Sequence, residues 1–384
     1  MSFKITHILR RQAIWGVSSL FLASCSAPKP PEPDAGTAVH EDGGAVASRA
    51  DVLEAAGRCA LRNAQAFRDE AAQLAATPNQ ANWKRTMAAW QRLEVLQFGP
   101  TGSSTKPGGL DIRDHVYAWP LFSRCATEDV LVSKQYENGV SRLLVNRRGL
   151  TALEYLLFYP GDDVSCSAAG WSALTPAERT ARKEAFATAL AADVKVQADA
   201  LVAAWEGGFI DTMKTAGPGN RTYMTTAGAM NRVSDAMYYL EKEVKDVKLA
   251  VPIGLRDCAA APCLDALESQ YAKHNTANLR ANLVAFRQLL EGCDDDTYAG
   301  IGFDEALVAA NASDLATRMR ARLIAAEAAL DAIEEDDLST ALVNDPASVR
   351  AFYDAVKNVT DLLKSEFVTV LDLEPPMGLE GDND

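Results

Sequence analysis

Residues 346–371 read PASVRAFYDAVKNVTDLLKSEFVTVL, and apolar side chains recur in them at every third or fourth position. These side chains are those of Val349, Phe352, Val356, Val359, Leu363, Phe367 and Val370. This spacing puts them on one face of an α-helix, and such a face is buried against a neighbour. Asp345-Pro346 starts the helix, because proline is favoured in the first helical turn. The stretch therefore predicts one long helix with a buried apolar stripe.

Helical spacing of the same kind covers most of the remaining chain, whereas the alternation typical of strands is nearly absent. Helices are predicted at 52–74, 83–96, just after Thr127, and at 146–159, 175–205, 222–249, 262–273, 276–291 and 304–335. Thr175-Pro176-Ala177-Glu178 is a capping box with proline at the first helical position. Long amphipathic helices joined by short loops favour antiparallel bundles. We therefore predict an all-α fold of two helical-bundle domains side by side.

Residues 207–220, GGFIDTMKTAGPGN, are rich in glycine and are the best candidate for a linker between the bundles. The chain after position 48 is long enough for two domains with hydrophobic cores of their own. We predict an N-terminal helical bundle over 49–210 and a C-terminal helical bundle over 211–384.

The first 24 residues predict a lipoprotein signal peptide. Positive charges come first, and a short apolar run follows over 13–22. A membrane-spanning helix needs roughly 20 apolar residues, so this run is too short to be one. The run ends in LASC over 22–25, which is similar to a bacterial lipobox, so Cys25 is the predicted lipidation site. The alternative is an ordinary secretory signal followed by a stray cysteine.

Residues 25–48 predict a flexible tether that starts at the lipidated cysteine. They are rich in proline, glycine, alanine and aspartate and contain almost no large apolar side chain, so they cannot bury enough surface to fold. We therefore expect a lipid-anchored protein of the cell envelope, at the outer membrane and facing the periplasm or the cell surface. The membrane is thus one partner, through the lipid, whereas a net charge of −14 argues against nucleic acid as another.

Seven cysteines fit an oxidising compartment. With Cys25 acylated, the remaining six are Cys59, Cys125, Cys166, Cys258, Cys263 and Cys293. An even number in an exported chain indicates three disulfides, and sequence alone leaves all fifteen sets of pairs open. If the first three cysteines pair mostly within the first half and the last three within the second, one bridge must cross between the halves.

The most informative segment is RRGLTALEYLLF at 147–158. It resembles the GxHxxE motif of imelysin-like proteins, bacterial envelope proteins once described as insulin-cleaving peptidases. Gly149 and Glu154 match the motif, and Thr151 stands where the family has histidine. Other similar stretches follow in the family's order: WQRLE at 90–94 with FGP at 98–100, WP at 119–120, Lys248 with Pro252 and Gly254, ESQY at 268–271, NTANL at 275–279, and the ending from 371 to 382. The resemblance covers essentially everything after residue 50.

The resemblance implies two helical bundles with the motif near the groove between them. Many relatives are lipoproteins, and several are linked to iron regulation or iron uptake. It therefore implies a groove that binds a ligand, with iron or another divalent cation as the candidate cofactor. The candidate groove residues are Gly149, Thr151, Glu154, Glu94, Asp111 and His115.

Threonine in place of the family's histidine changes the expected chemistry. Residues at i and i+3 share a helix face, so histidine and glutamate of the motif offer two ligands to one cation. Thr151 offers only a neutral hydroxyl, which is a poor ligand and no general base near pH 7. We therefore expect a non-catalytic binding or accessory protein in iron or haem acquisition, with envelope iron-uptake proteins as partners.

Two alternatives to this function stay open. One is a metallopeptidase of the imelysin type, which the loss of the histidine disfavours, since peptide hydrolysis needs an activated water. The other is a scaffold or interaction module that has lost the site. In that case Glu154 would pair with an arginine such as Arg92 or Arg148 and merely hold helices together.

Overall fold

The computed structural model describes residues 47–166, 170–293, 298, 300–335 and 337–376. Its α-helices are α1 (Arg49–Ala76), α2 (Gln80–Val95), α3 (Ile112–Val116), α4 (Arg124–Ser133), α5 (Gly149–Phe158), α6 (Pro176–Ala204), α7 (Ile210–Lys214), α8 (Thr226–Met237), α9 (Asn275–Glu291), α10 (Phe303–Ala309), α11 (Ser313–Asp331), α12 (Leu338–Asn344), α13 (Pro346–Leu362) and α14 (Val368–Val370). The π-helical segments are Trp205–Phe209, Leu240–Ala250 and Leu363–Phe367. Turns of 3-10 helix occur at Gly99–Thr101, Gln135–Asn138, Val140–Arg142, Val145–Arg147, Trp171–Ala173 and Leu264–Ala266.

No strand occurs within these ranges, so the predicted all-α class is confirmed. The predicted signal peptide, Cys25 and nearly all of the predicted tether lie outside the described residues. Across the described part of the chain, no helix has both the length and the apolar character needed to cross a membrane.

Helix ends follow local signals. The Thr175 hydroxyl accepts a hydrogen bond from the N–H of Glu178 at 3.2 Å, and the Glu178 carboxylate accepts one from the N–H of Thr175 at 2.8 Å. These two hydrogen bonds confirm the predicted capping box at the start of α6, because they satisfy N–H groups that lack a partner within the helix. The predicted last helix is also confirmed: α13 continues through Leu363–Phe367 into α14. Its predicted apolar stripe is buried except at Val370, which is 37% exposed because it lies in the last turn of the run.

The helices share one hydrophobic core. Helix α1 packs against α2, α6 and α7, and α2 packs in turn against α9. Phe67 of α1 and Trp90 of α2 are fully buried, and their ring centres are 5.2 Å apart. Apolar side chains from both halves of the chain form one continuous cluster. The division into two domains at residue 210 stays a prediction.

The segment 207–220, predicted as a linker, packs on the first helix. It contains α7, whose Met213 is fully buried. A β-carbon added to Gly57 of α1 would lie 3.2 Å from the Ile210 side chain, so the two helices approach closely.

The helix predicted over 262–273 is wrong. Only Leu264–Ala266 forms a helical turn there, and turns take up most of the rest. The N–H groups of Tyr271 and Ala272 both donate to the carboxylate of Glu154, at 2.9 Å each. An N–H bound to a distant side chain cannot also pair with the carbonyl four residues earlier. Tertiary contacts therefore override the helical periodicity in this segment.

The helix predicted over 304–335 is split in two. Helix α10 ends at Ala309, and α11 begins at Ser313. Asn311 between them has φ 59°, in the left-handed region that asparagine tolerates better than most residues. The N–H of Ala312 donates to the carbonyl of Leu307 at 2.8 Å, which closes the end of α10.

Three disulfides join the six cysteines. They are Cys59–Cys293, Cys125–Cys166 and Cys258–Cys263. One bridge lies within each half, and the third crosses between the halves, so the predicted arrangement is confirmed. The crossing bridge connects α1 to the residue that follows α9 and Gly292.

Candidate functional site

A cavity of about 270 Å³ opens beside the residues of the predicted motif. It lies among four segments: the loop 119–122, helix α5, residues 247–251 and the loop 265–271. Its lining side chains are Trp119, Pro120, Phe122, Thr151, Glu154, Val247, Val251, Asp265, Ala266, Leu267, Glu268, Gln270 and Tyr271. Three of them are carboxylates, and no lysine or arginine lines the cavity in the described part of the chain. Acidic side chains therefore outnumber basic ones in this wall and can offer oxygen donors to a guest that carries positive charge.

Glu154 lies on α5 and is only 3% exposed. Its Oε1 accepts the N–H groups of Tyr271 and Ala272, each at 2.9 Å. Burial raises the pKa of the Glu154 carboxyl to about 8, although the two N–H groups act in the opposite direction. The carboxylates of Glu268 and Asp337 raise this pKa further. No cation is among the principal groups that act on Glu154.

Thr151 lies one helical turn before Glu154 and also lines the cavity. Its side chain is 3% exposed, and its Oγ1 has no hydrogen-bond partner among the described residues. A buried hydroxyl without a partner is costly, roughly 1–3 kcal/mol, so a guest that bonds to it would recover that free energy. Thr151 thus faces the same cavity as Glu154.

Gly149 starts α5 and has φ +73°, which is in the left-handed region that glycine adopts most readily. A β-carbon added to it would lie 2.3 Å from the carbonyl oxygen of Val116. Glycine at this position therefore lets α5 begin directly against the end of α3. This close approach sets the position of Thr151 and Glu154 on the cavity wall.

Glu268 is the second buried carboxylate of the cavity and is not among the predicted groove residues. Its Oε1 lies 2.8 Å from Nζ of Lys248 and accepts a hydrogen bond from Nε2 of Gln91 at 2.7 Å. Its Oε2 accepts one from Nδ2 of Asn278 at 3.0 Å. Lys248 also donates to Oδ1 of Asn282 at 2.9 Å. This buried polar network fixes Glu268 and balances its charge.

Lys248 and Glu268 already stood out in the sequence, as parts of stretches similar to the family. Nothing in the hydrophobic pattern distinguished them from other polar residues, because their partners come from distant parts of the chain. Gln91, for example, is 177 positions from Glu268.

A cluster of aromatic rings supports the loop that carries Tyr271. The Tyr271 ring meets those of Tyr155 and Tyr159 edge to face, with ring centres 5.5 Å apart in both pairs. The guanidinium of Arg124 lies over Tyr159, 4.2 Å from the ring centre. These contacts hold Tyr271 at α5, so its N–H stays within reach of Glu154.

Glu94 and Asp111, two predicted groove residues, do not line the cavity. Glu94 is buried, and its Oε1 accepts a hydrogen bond from Nε of Arg113 at 3.0 Å. Burial raises the pKa of Glu94, and Arg113 opposes this. Asp111 precedes α3, and its Oδ1 accepts the N–H of Ser104 at 2.7 Å. Hydrogen bonds from Ser104 lower the pKa of Asp111.

His115 and the two arginines considered as partners of Glu154 also lie elsewhere. His115 is half-buried on α3 and does not line the cavity. Arg148 pairs with Asp193 at 2.6 Å, and Arg92 is exposed. Within the described part of the chain, Glu154 is therefore not held in an arginine bridge.

The predicted set of metal ligands is not assembled. Among the residues that the structure describes, no group of three or more His, Cys, Asp or Glu side chains could hold a metal ion. Glu154 and Thr151 offer one carboxylate and one hydroxyl, which is fewer donors than the four ligands typical of zinc or the six or more typical of calcium. A cation bound there would keep water or ligands of its own.

Comparisons with known proteins give a consistent result. The model of the family described as imelysin matches residues 45–365. A crystal structure of an imelysin-like protein from Psychrobacter arcticum 273-4 is 16% identical, with a TM-score of 0.58, over 86% of this chain and 94% of that one. A protein of Parabacteroides distasonis ATCC 8503 described as an iron-regulated protein A precursor is 14% identical, with a TM-score of 0.59, over 87% of this chain and 97% of that one. At these identities the two structures establish a shared fold. A comparison with curated proteins finds no match.

Proposed function

Because the chain belongs to the imelysin family, as its sequence indicated, we propose that it is a non-catalytic binding or accessory protein of the cell envelope in iron or haem acquisition. The ligand is a cation or a molecule that carries one, and it occupies the cavity beside Glu154. The similar protein described as an iron-regulated protein A precursor supports the link to iron. Lipid anchoring through Cys25 at the outer membrane and envelope iron-uptake proteins as partners belong to the same proposal.

One observation carries the proposal: the buried carboxyl of Glu154 and the buried hydroxyl of Thr151 line a cavity whose wall, among the described residues, contains no basic side chain. Glu154 is not paired with an arginine, and Glu268 contributes a second carboxylate to the same wall. The unpartnered Oγ1 of Thr151 is a further oxygen donor for a cation or its bound water.

The volume of the cavity limits what it can hold. About 270 Å³ lies just under the roughly 300–1,000 Å³ typical of small-molecule sites. A hydrated ion or a small chelated ion fits this space better than a whole porphyrin. If haem is the ligand, only an edge or a side group of it enters.

The test is a titration of the purified full-length chain with Fe²⁺, Fe³⁺ and haem, followed by calorimetry and absorbance. Glu154 holds its proton near neutral pH in the free chain and must release it to bind a cation as a carboxylate. Glu154→Gln cannot form that carboxylate, and we expect about a tenfold or greater loss of affinity, since bonds to charged groups are among the strongest polar contacts. Thr151→His restores an imidazole, and we expect it to tighten binding. Glu327→Gln, a partly buried carboxylate outside the cavity, serves as the matched control and leaves affinity unchanged. Binding that is absent, or equal in all variants, contradicts the proposal and leaves the scaffold function.

Peptide hydrolysis is the alternative activity, and one observation favours it. A carboxyl whose pKa is about 8 is suited to proton transfer near neutral pH. Against it, the imidazole of the family motif is replaced by Thr151, and the described residues form no metal-binding group. Cleavage of an unstructured protein, abolished by a chelator and by Glu154→Gln, would establish the peptidase and overturn the non-catalytic proposal.

A further inference from the structure

A second cavity, of about 260 Å³, shares no lining residue with the first. It lies where the chain after α2 meets helix α8 and the residues near Pro376. Its aromatic and apolar wall is formed by Phe98, Pro107, Tyr223 and Pro376. This wall can receive the apolar part of a small molecule.

The charged side chains of this cavity are mostly basic. Lys106, Arg232 and Lys242 line it together with a single carboxylate, Asp235. Basic side chains therefore outnumber the acidic one in this wall, whereas the whole chain carries a net charge of −14. A concentration of positive charge in a concave site attracts anions.

Asp235 uses only part of the hydrogen-bonding capacity of these cations. Its Oδ2 accepts a hydrogen bond from an Nη1 of Arg232 at 2.9 Å and lies 3.6 Å from Nζ of Lys106. A guanidinium has five N–H donors and an ammonium has three, so donors remain for a guest. The side chains of Arg232 and Lys106 are 31% and 38% exposed, so a guest can reach both.

Tyr223 adds a neutral donor at the same place. It is only 5% exposed and lines the cavity beside Arg232. A neighbouring cavity of about 380 Å³ shares Tyr223, Pro107 and Arg232 with the second cavity. Ala227, in the first turn of α8, lines this neighbouring cavity, and the positive end of the helix dipole adds to the attraction for an anion.

We propose that this second cavity binds a small organic anion. Its oxyanion group, a carboxylate or a phosphate, lies between Arg232, Lys106 and the hydroxyl of Tyr223. Its apolar part lies against Phe98 and Pro107. This site is independent of the cavity beside Glu154 and goes beyond the function proposed for it.

The probes are benzoate, phenyl phosphate and inorganic phosphate, each titrated into the purified full-length chain by calorimetry at low ionic strength. We expect benzoate or phenyl phosphate to bind with a Kd of about 1 mM or lower, and more tightly than inorganic phosphate, because only they have an apolar part. Binding of benzoate identifies a carboxylate as the preferred group, and binding of phenyl phosphate identifies a phosphate ester. Either result supports the site.

Three variants separate a built site from a general charge effect. Arg232→Gln weakens binding by about tenfold or more, since it removes a charged donor. Tyr223→Phe weakens binding by about threefold or more, because it removes a hydroxyl donor. This variant keeps the buried ring, so it tests the site even if Arg232→Gln does not fold. Lys195→Gln makes the same charge change at an exposed lysine outside both cavities and leaves affinity unchanged.

Two outcomes overturn the proposal. One is the absence of binding by any of the three anions up to about 10 mM. The other is an equal loss of affinity in Lys195→Gln and Arg232→Gln, because this would show only the net charge of the chain.

Discussion

The carbonyl oxygen of Val116 lies so close to Gly149 that a β-carbon at residue 149 would be 2.3 Å from it. The end of α3 thus meets the start of α5 with no space for a side chain. Helix α5 carries Thr151 and Glu154 to the cavity wall, so this contact between two backbones positions the candidate site.

Gly149→Ala should therefore destabilise the protein and weaken ligand binding together. We expect a loss of about 2–4 kcal/mol in the free energy of unfolding, from the left-handed backbone and from the clash with Val116. Urea unfolding monitored by circular dichroism measures this. Gly207→Ala is the control, because nothing lies within 4 Å of a β-carbon there and its φ is not positive. Equal stability of the two variants would contradict the close approach.

Glu154→Gln should change how stability depends on pH. The pKa of Glu154 is about 8 in the folded chain, above its ordinary value of 4.5. Between these values the folded state holds a proton that the unfolded state has released. The stability from this group is therefore fully present below pH 4.5 and is lost as the pH rises through 8. Glutamine does not titrate, and its Oε1 can still accept the two N–H groups.

The measurement is the free energy of unfolding of both proteins between pH 4.5 and 8.5, with a chelator present. Relative to the variant, the natural chain should lose up to about 1.4 kcal/mol per pH unit as the pH rises. Parallel curves would show that Glu154 has an ordinary pKa.

Lys248→Met should be strongly destabilising, because it leaves the buried carboxylate of Glu268 without its cation. We expect the free energy of unfolding to fall by about 3–5 kcal/mol, as it does when other buried ion pairs lose one partner. Adding Glu268→Gln removes the isolated charge and should recover most of the loss. Lys195→Met, which breaks the exposed pair with Asp199, should cost less than about 1 kcal/mol. Urea unfolding of the four proteins tests this, and a double variant no more stable than Lys248→Met would refute it.

The disulfide between the halves should contribute most to stability. Cys59 and Cys293 are 234 positions apart, whereas Cys258 and Cys263 are 5 apart. In the chain-entropy model the longer loop means that Cys59–Cys293 adds about 3 kcal/mol more to the free energy of unfolding than Cys258–Cys263 does. We expect Cys59→Ala with Cys293→Ala to lower the melting temperature much further than Cys258→Ala with Cys263→Ala. Equal shifts would mean that loop length is not the controlling factor.

Several features were predictable because they depend on neighbours within one or two helical turns. The apolar stripe from Val349 to Val370 gave the last helical run correctly, and the pair Thr175 and Glu178 gave the start of α6. The even number of cysteines after Cys25 indicated three disulfides, and the assumption that they pair mostly within their own half predicted one crossing bridge. Each of these inferences rests on spacing along the chain, which folding does not alter.

The candidate site was predictable only in part. Glu154 and Thr151 lie together as the helical spacing required, whereas Glu94, Asp111 and His115 lie outside the cavity. Glu94 is held by Arg113, and Asp111 by the backbone of Ser104. Spacing along the sequence carries no information about such partners, so it could not remove these three residues from the candidate set.

The chain's periodicity and end signals were enough to define the helices, because backbone hydrogen bonds and apolar stripes are local. Packing decided the rest. The N–H of Tyr271 reaches Glu154 across 117 positions, and that bond both prevents a helix over 262–273 and orients the carboxylate in its cavity. A buried polar group takes whichever partner the fold brings to it, since leaving it unbonded costs more than giving up a turn of helix.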